Sequence, residues 1–232
     1  METILSALID LIDRYYHQKN VNKKLLNLKI KNAIDIGAHK GEFLSSIISI
    51  KKHIKVYSFE PQFNIYKNLK IKFKNFKNIS VYNLALSNSN KKKKLNINIK
   101  SSTSTFSTYD KNSYWKKLKD FLLTGSKNST FIGYEIVNSI TLDKFFKKKK
   151  IKNLDLLKID AEGHEAEILE GAKNILKKKV KYILIEIHFS KIYKNYNKKK
   201  IEKILKNNNF ILIKKFKFPF LTFEDRIYKK IS

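Results

Sequence analysis

The chain has 232 residues, 42% of them hydrophobic, which is enough for one sizeable core and excludes wholesale disorder. It has no cysteine, which excludes disulfides, cysteine-ligated zinc, iron–sulfur clusters and thiol nucleophiles. A formal net charge of +30 points either to an anionic partner or to a compositional bias. The excess is nearly all Lys and comes with abundant Asn, Ile, Phe and Tyr, residues of AT-rich codons, so bias is the better account. Arg, the usual bidentate ligand of phosphate and guanine, occurs only at Arg14 and Arg226, which weighs against nucleic acid. The start, METILSALIDLID, carries Glu2, Asp10 and Asp13 where a leader would be basic and apolar, and no apolar run reaches the ~20 residues of a membrane span. The default expectation is a soluble cytoplasmic protein.

In chain order, residues 3–16 have the spacing of an amphipathic helix, with Ile4, Leu8, Leu11, Ile12 and Tyr15 on one face. Packing on the domain flank is favoured over a membrane or partner contact, because the polar face is acidic at Asp10 and Asp13. Residues 17–31 read as a basic connection. Asn32 to Ala38 is the first strand, Glu42 to Ile50 a helix, and Lys55 to Phe59 a second strand stopped by Pro61. Gln62 to Lys74 is helical by the spacing of Ile65, Leu69 and Phe73, and Ile79 to Leu86 is a third strand. Such β-α-β-α-β order implies a parallel sheet covered by helices on both faces.

The regular order then breaks. Leu95 to Ile99 alternates like an edge strand, and residues 101–130 form a Ser-, Thr- and Lys-rich insertion holding Phe106, Tyr109, Tyr114, Trp115 and Phe121. Two readings stand equal: a lid or acceptor-binding insertion, or a surface excursion with a short helix. Tyr134 to Ile140 is a strand, and Thr141 is an N-cap for a helix from Leu142 to Phe146. Leu154 to Ile159 is a core strand ending at Asp160-Ala161-Glu162-Gly163-His164. Glu165 to Leu176 is the clearest helix, with Gly171 marking close packing or a break. Tyr182 to Ile187 is a strand buried on both faces, Lys198 to Lys206 a helix, and Phe210 to Phe216 pairs with Arg226 to Ile231 around a Pro219 turn at the sheet edge. One domain covers 32–232, with 1–31 as a flanking helix and connection.

Chemistry concentrates at two places. Strand, glycine loop and helix meet at Asp35-Ile36-Gly37-Ala38-His39-Lys40-Gly41, geometry that brings backbone close to a nucleotide-like ligand. Position 39 is His where a nicotinamide loop has its second glycine, and the acid at 35 would repel a pyrophosphate. Glu60, at the tip of the second strand, can accept both hydroxyls of a ribose. The other place is the strand end at Asp160, Glu162 and His164, with Glu186 and His188 at the neighbouring strand end. The residue types of Asp160, Glu162 and His188 are compatible with a divalent metal, but their spacing is not diagnostic.

These stretches, DIGAHKG, FEP (Phe59 to Pro61), NLALS (Asn83 to Ser87), TLD (Thr141 to Asp143), LKIDAEGHE (Leu157 to Glu165) and ILEGA (Ile168 to Ala172), come in an order that resembles the FkbM family of S-adenosylmethionine-dependent methyltransferases. The resemblance spans about residues 32–190. It implies an α/β fold of class I methyltransferase type: a Rossmann-like three-layer sandwich with a seven-stranded, mostly parallel sheet whose last strand is antiparallel. It implies O-methylation of a hydroxyl, with a sugar or lipid-linked glycan as the acceptor by family analogy. Carried across, Asp35, Gly37, Ala38, His39 and Gly41 would line the methionine part of the cofactor. Glu60 would hold the ribose, with Pro61 and Gln62 beside the adenosine, and Asn83 to Leu86, Ala85 included, would lie by the adenine. Asp160 would also border the cofactor.

Methyl transfer to oxygen needs in-line placement and a proton acceptor. His164 or Asp160 could be that base, with Glu162 and Glu186 orienting it and His188 as a second imidazole. Two rival readings remain at this level: a nicotinamide-dependent oxidoreductase, and a non-catalytic basic protein that binds nucleic acid or a membrane surface.

Overall fold

The computed structural model describes residues 7–8, 11–110, 112–124, 129–189, 192–218 and 223–231. Ile4 and Asp10 of the first amphipathic pattern, and the Pro219 turn, lie outside the described residues. The strands are β1 (Asn32–Ile36), β2 (Lys55–Phe59), β3 (Ile79–Tyr82), β4 (Ala85–Leu86), β5 (Lys92–Asn98), β6 (Phe131–Ile140), β7 (Leu154–Ile159), β8 (Val180–His188), β9 (Phe210–Lys217) and β10 (Phe223–Lys230). The helices are α1 (Gln18–Leu26), α2 (Glu42–Ile50), α3 (Phe63–Lys72), α4 (Tyr114–Thr124), α5 (Leu142–Lys149), α6 (Glu165–Glu170), α7 (Lys173–Lys178) and α8 (Lys198–Asn207).

Seven strands form one sheet in the order β3-β2-β1-β7-β8-β10-β9. β10 runs antiparallel to both its neighbours, and the other pairs are parallel. The sheet is a three-layer core because its side chains alternate. Ile34, Tyr57, Leu157 and Ile183 pack into one buried cluster with α5, α6 and α7. Ala33, Val56, Leu156 and Tyr182 pack into a second cluster with α1, α2 and α3. The chain runs outward from β1 to β3 and returns at β7, so the strand order reverses between β1 and β7. Open α/β sheets bind ligands beyond the strand tips at such a reversal.

Three expectations need correction. Ile79 to Leu86 is not one strand: the chain turns at Asn83, whose side-chain amide donates to the carbonyls of Glu60 (3.1 Å) and Pro61 (2.7 Å). β4 therefore leaves the main sheet and pairs with β6 in a three-stranded sheet of order β4-β6-β5. Second, the basic connection at 17–31 contains α1, where Val21 and Leu25 are buried one turn apart, with His17 buried just before them. Third, Leu8, Leu11 and Tyr15 do not pack on the domain flank but face outward. Among the described residues no helix is long and apolar enough to cross a membrane.

Other local signals hold. The Thr141 hydroxyl accepts from the Lys144 amide (3.2 Å) and caps α5. Gly171 both breaks the long helix into α6 and α7 and packs closely, since a Cβ there would stand 2.0 Å from the Ser87 carbonyl oxygen. Its φ of −76° suits any residue, so the constraint is space alone. Gly171→Ala should cost about 1–3 kcal/mol in denaturant unfolding, the usual scale of overpacking. Wild-type stability in that variant would show the contact to be soft.

Candidate active site

A cavity of about 910 Å³ opens over the tips of β1, β2 and β7. Gly37, Ala38, His39, Glu60, Pro61 and Ala85 border it, as do Asp160, Glu162 and His164. The glycine loop turns tightly because Gly37 has φ 77°, and a Cβ there would stand 1.8 Å from the Asp160 carbonyl oxygen. Only glycine lets the two strand tips approach this closely. Glu60 is 2% exposed, and its two oxygens accept the amides of His39 (2.9 Å) and Gln62 (2.8 Å). Burial outweighs these hydrogen bonds and pushes its carboxyl up to about 7.

Four expected site residues do not line the cavity. Asp35 lies beneath its floor, fully buried on the β1 face that carries Ala33. In the sheet register it stands opposite Ser58 on β2 and Lys158 on β7. Ser58 donates to one Asp35 oxygen (3.0 Å), and the Lys158 ammonium lies 3.3 Å from the other. Gly41 is pressed against Leu69 and Phe73 at the start of α2. Asn83 is the strut behind Glu60 described above. His188 sits edge-on to Tyr193 and Tyr196, 3.1 Å from a Glu186 oxygen, and burial lowers its imidazole to about 4.

Lys158 lines the cavity, and the sequence reading overlooked it. Its ammonium lies 3.3 Å from Asp160 as well as Asp35, and donates to the Gly37 carbonyl (3.2 Å). Burial would lower its pKa, but the two carboxylates overcome that and hold it above the usual lysine range. The available signal was a lysine inside the apolar run Leu156-Leu157-Lys158-Ile159.

The opposite wall is the turn after β7. Glu162 has φ 48° and Gly163 φ 93°. The Tyr193 hydroxyl donates to the Glu162 carboxylate, and Lys119 of α4 lies 3.3 Å from the same oxygen. Burial would raise Glu162, but Lys119, His188 and Tyr193 together lower it. Asp160 is the more open acid, with 39% of its side chain exposed. Its enclosure in the cleft still raises the carboxyl, against the pull of Lys158. The His164 ring faces the Ser87 hydroxyl (3.0 Å) and packs on Phe106, and burial lowers it to about 3, so it is neutral at pH 7. Glu165 is fully buried, accepts the amides of Ala161 and Gly163 (both 3.1 Å), and is pushed up to about 8 by burial. Among the described residues no group of three His, Asp or Glu is placed to hold a metal ion, so Asp160, Glu162 and His188 do not form one.

The 101–130 insertion begins on the cavity. Ser101 and Ser104 line it. His39 Nε2 lies 2.7 Å from the Ser101 hydroxyl, and Gln62 donates to the Ser101 carbonyl (3.0 Å). Farther on, Thr105 donates to the Glu162 carbonyl (2.5 Å) and Tyr109 stacks on Tyr193.

A methyltransferase FkbM domain matches residues 35–212. The chain belongs to the FkbM methyltransferase family. A comparison with curated protein sequences gives no match. Among solved structures, the chain is similar to methyltransferase FkbM from Methylobacillus flagellatus KT, at 15% identity and a TM-score of 0.54. That likeness covers 86% of this chain but only 43% of the Methylobacillus chain, so this chain spans less than half its length. Magnesium protoporphyrin IX methyltransferase from Synechocystis PCC 6803, solved with bound S-adenosylmethionine, is similar at 10% identity and a TM-score of 0.54, over 100% of this chain and 86% of that one. Fibrillarin from Aeropyrum pernix, also solved with S-adenosylmethionine, is similar at 12% identity and a TM-score of 0.51, over 90% and 74%. At these identities the likeness is one of fold, and the fold is that of class I S-adenosylmethionine-dependent methyltransferases. The oxidoreductase reading falls away.

In this chain, Asp35 and Lys158 should prove energetically inseparable. Lys158→Met leaves a fully buried carboxylate without its cation and should cost about 3–5 kcal/mol. Adding Asp35→Asn, which keeps the Ser58 hydrogen bond, should restore half or more of that loss. Additive losses in the double-mutant cycle would show that the two side chains do not act as a pair.

Proposed function

We propose that this chain transfers a methyl group from S-adenosylmethionine to a hydroxyl oxygen of a sugar, glycan or lipid-linked acceptor. The observation that carries the reading is one cavity bordered by both Glu60 and Asp160, at the tips of β2 and β7, the two strands that flank β1. The residues present fit an adenosyl cofactor. Each Glu60 oxygen accepts one backbone amide and keeps a further lone pair, so the carboxylate can take both ribose hydroxyls. Gly37 and Ala38 bring backbone to the methionine end without bulk, and Pro61, Leu84, Ala85 and Leu86 offer an apolar wall to the adenine. When bound, the cofactor supplies an electrophilic methyl group on a sulfonium.

The chain's own part is to place the acceptor oxygen and take its proton. Asp160 is assigned as the base, being more open to the cavity than Glu60 or Glu162 and raised toward neutrality by its enclosure. His164 is the second reading: its neutral ring can accept a proton, but its Nε2 already faces Ser87. Glu162, gripped by Tyr193 and Lys119, orients the acceptor rather than the proton. Asp160-Ala161-Glu162-Gly163 stand where an amine-methylating enzyme would carry an Asn-Pro-Pro-Tyr-like tetrapeptide, which favours oxygen as the nucleophile. The 101–130 insertion acts as a lid, and 32–232 is the methyltransferase domain.

Calorimetry with S-adenosylhomocysteine tests the cofactor half. Glu60→Ala should weaken binding at least about tenfold at unchanged far-UV dichroism, since buried charge-assisted hydrogen bonds are worth roughly 1.5–3 kcal/mol. Wild-type affinity should also fall as the pH drops through about 7, where Glu60 takes up a proton, and the variant should lose that step. Wild-type affinity in Glu60→Ala would remove the pocket from consideration. For the chemical half, Asp160→Asn should cut methyl transfer about 100-fold or more while S-adenosylhomocysteine still binds. The same loss confined to a His164 variant would move the base there.

A further inference from the structure

Outside the large cavity stand the exposed residues that precede α1 and a basic groove. Leu8, Leu11, Tyr15 and Tyr16 are all exposed, at 49%, 54%, 65% and 62%. They run into α1, which is itself anchored by the buried Val21 and Leu25. Between α1 and the edge strand β9 lies a groove of about 470 Å³, lined by Tyr16 and by Lys23, Lys24, Lys214, Lys215 and Lys217. Tyr16 thus stands beside five lysines, and the exposed Leu8, Leu11 and Tyr15 precede it on the segment that leads into the groove. The same helix also contributes Gln18 and Asn22 to the border of the large cavity.

We infer that this face docks on an anionic lipid surface. Two weak signals together give stable peripheral binding: apolar side chains that enter the headgroup boundary and a basic cluster that meets anionic lipid. The acids Glu2, Asp10 and Asp13 belong to the same stretch of sequence, so the attraction comes from α1 and β9 while the Leu and Tyr side chains insert. A nucleic acid would use the lysines but leave Leu8 and Leu11 in water. Docking would hold the border of the large cavity near the headgroups. The inference goes beyond the reaction proposed above and does not depend on it.

Co-sedimentation of the full chain with vesicles at physiological salt is the test. The protein should bind phosphatidylcholine vesicles that contain phosphatidylglycerol and not vesicles of phosphatidylcholine alone. Leu11→Glu with Tyr15→Glu, and separately Lys23→Glu with Lys214→Glu, should each weaken binding at least about tenfold at unchanged melting temperature. Lys147→Glu with Lys148→Glu, the same charge change on α5 across the sheet, should leave binding unchanged. Equal loss in the α5 variant would mean that total charge alone is at work, and overturns the proposal. So would full binding by the Leu11 and Tyr15 variant, or retention of single-stranded RNA with none of the vesicles.

Discussion

The structure depends on a lysine placed where a core strand should be wholly apolar. Lys158 reaches from β7 to Asp35 on β1, to Asp160 at its own strand tip, and to the Gly37 carbonyl in the loop above. A buried ammonium is tolerable only when its charge and donors are all met, and here two carboxylates and a carbonyl meet them. The bond to Gly37 matters most for geometry. It joins the glycine loop to β7 at the point where the strand order reverses. Gly37 in turn must lack a side chain because the Asp160 carbonyl presses on it. The floor of the cavity is thus fixed by charge from below and by close backbone approach from the side.

On that floor the carboxylates are put to different uses by their surroundings. Glu60 is buried, twice amide-bonded and raised in pKa, an arrangement that costs stability at pH values where the carboxylate is ionised. Asp160 is open to the cavity but tethered to a cation. Glu162 is held by a phenol and an ammonium contributed by segments far away in sequence, at Tyr193 and Lys119. Its left-handed backbone, next to Gly163, turns it into the cleft at some conformational cost, as side chains at functional sites often are. The 101–130 insertion touches both ends of this layout, through Ser101 over His39 and through Thr105, Tyr109 and Lys119 around Glu162.

Much of the framework was legible in the sequence because it rests on local signals. The alternating strand and helix periods placed β1, β2, β7 and α2 to within a residue or two, and the acid 23 positions after Gly37 marked Glu60. What was missed is non-local. Asn83 turns the chain out of the main sheet only because the Glu60 and Pro61 carbonyls lie across from it. Asp35 read as a ligand contact, since nothing in DIGAHKG reveals that a lysine 123 positions later occupies it. Lys158 itself broke the apolar pattern, and a buried charge in a core strand is the kind of inconsistency that marks a site. The N-terminal stretch was read from its periodicity as a packed helix, but periodicity gives only an apolar face and not what covers it.

The central claim is that the cavity over β1, β2 and β7 holds an adenosyl cofactor by its ribose. A crystal structure of the chain with S-adenosylhomocysteine measures this most directly. The account predicts both ribose hydroxyls within hydrogen-bonding distance of the Glu60 carboxylate, and Asp160 beside the sulfur. Ligand bound elsewhere, or in this cavity with its ribose turned away from Glu60, would contradict it.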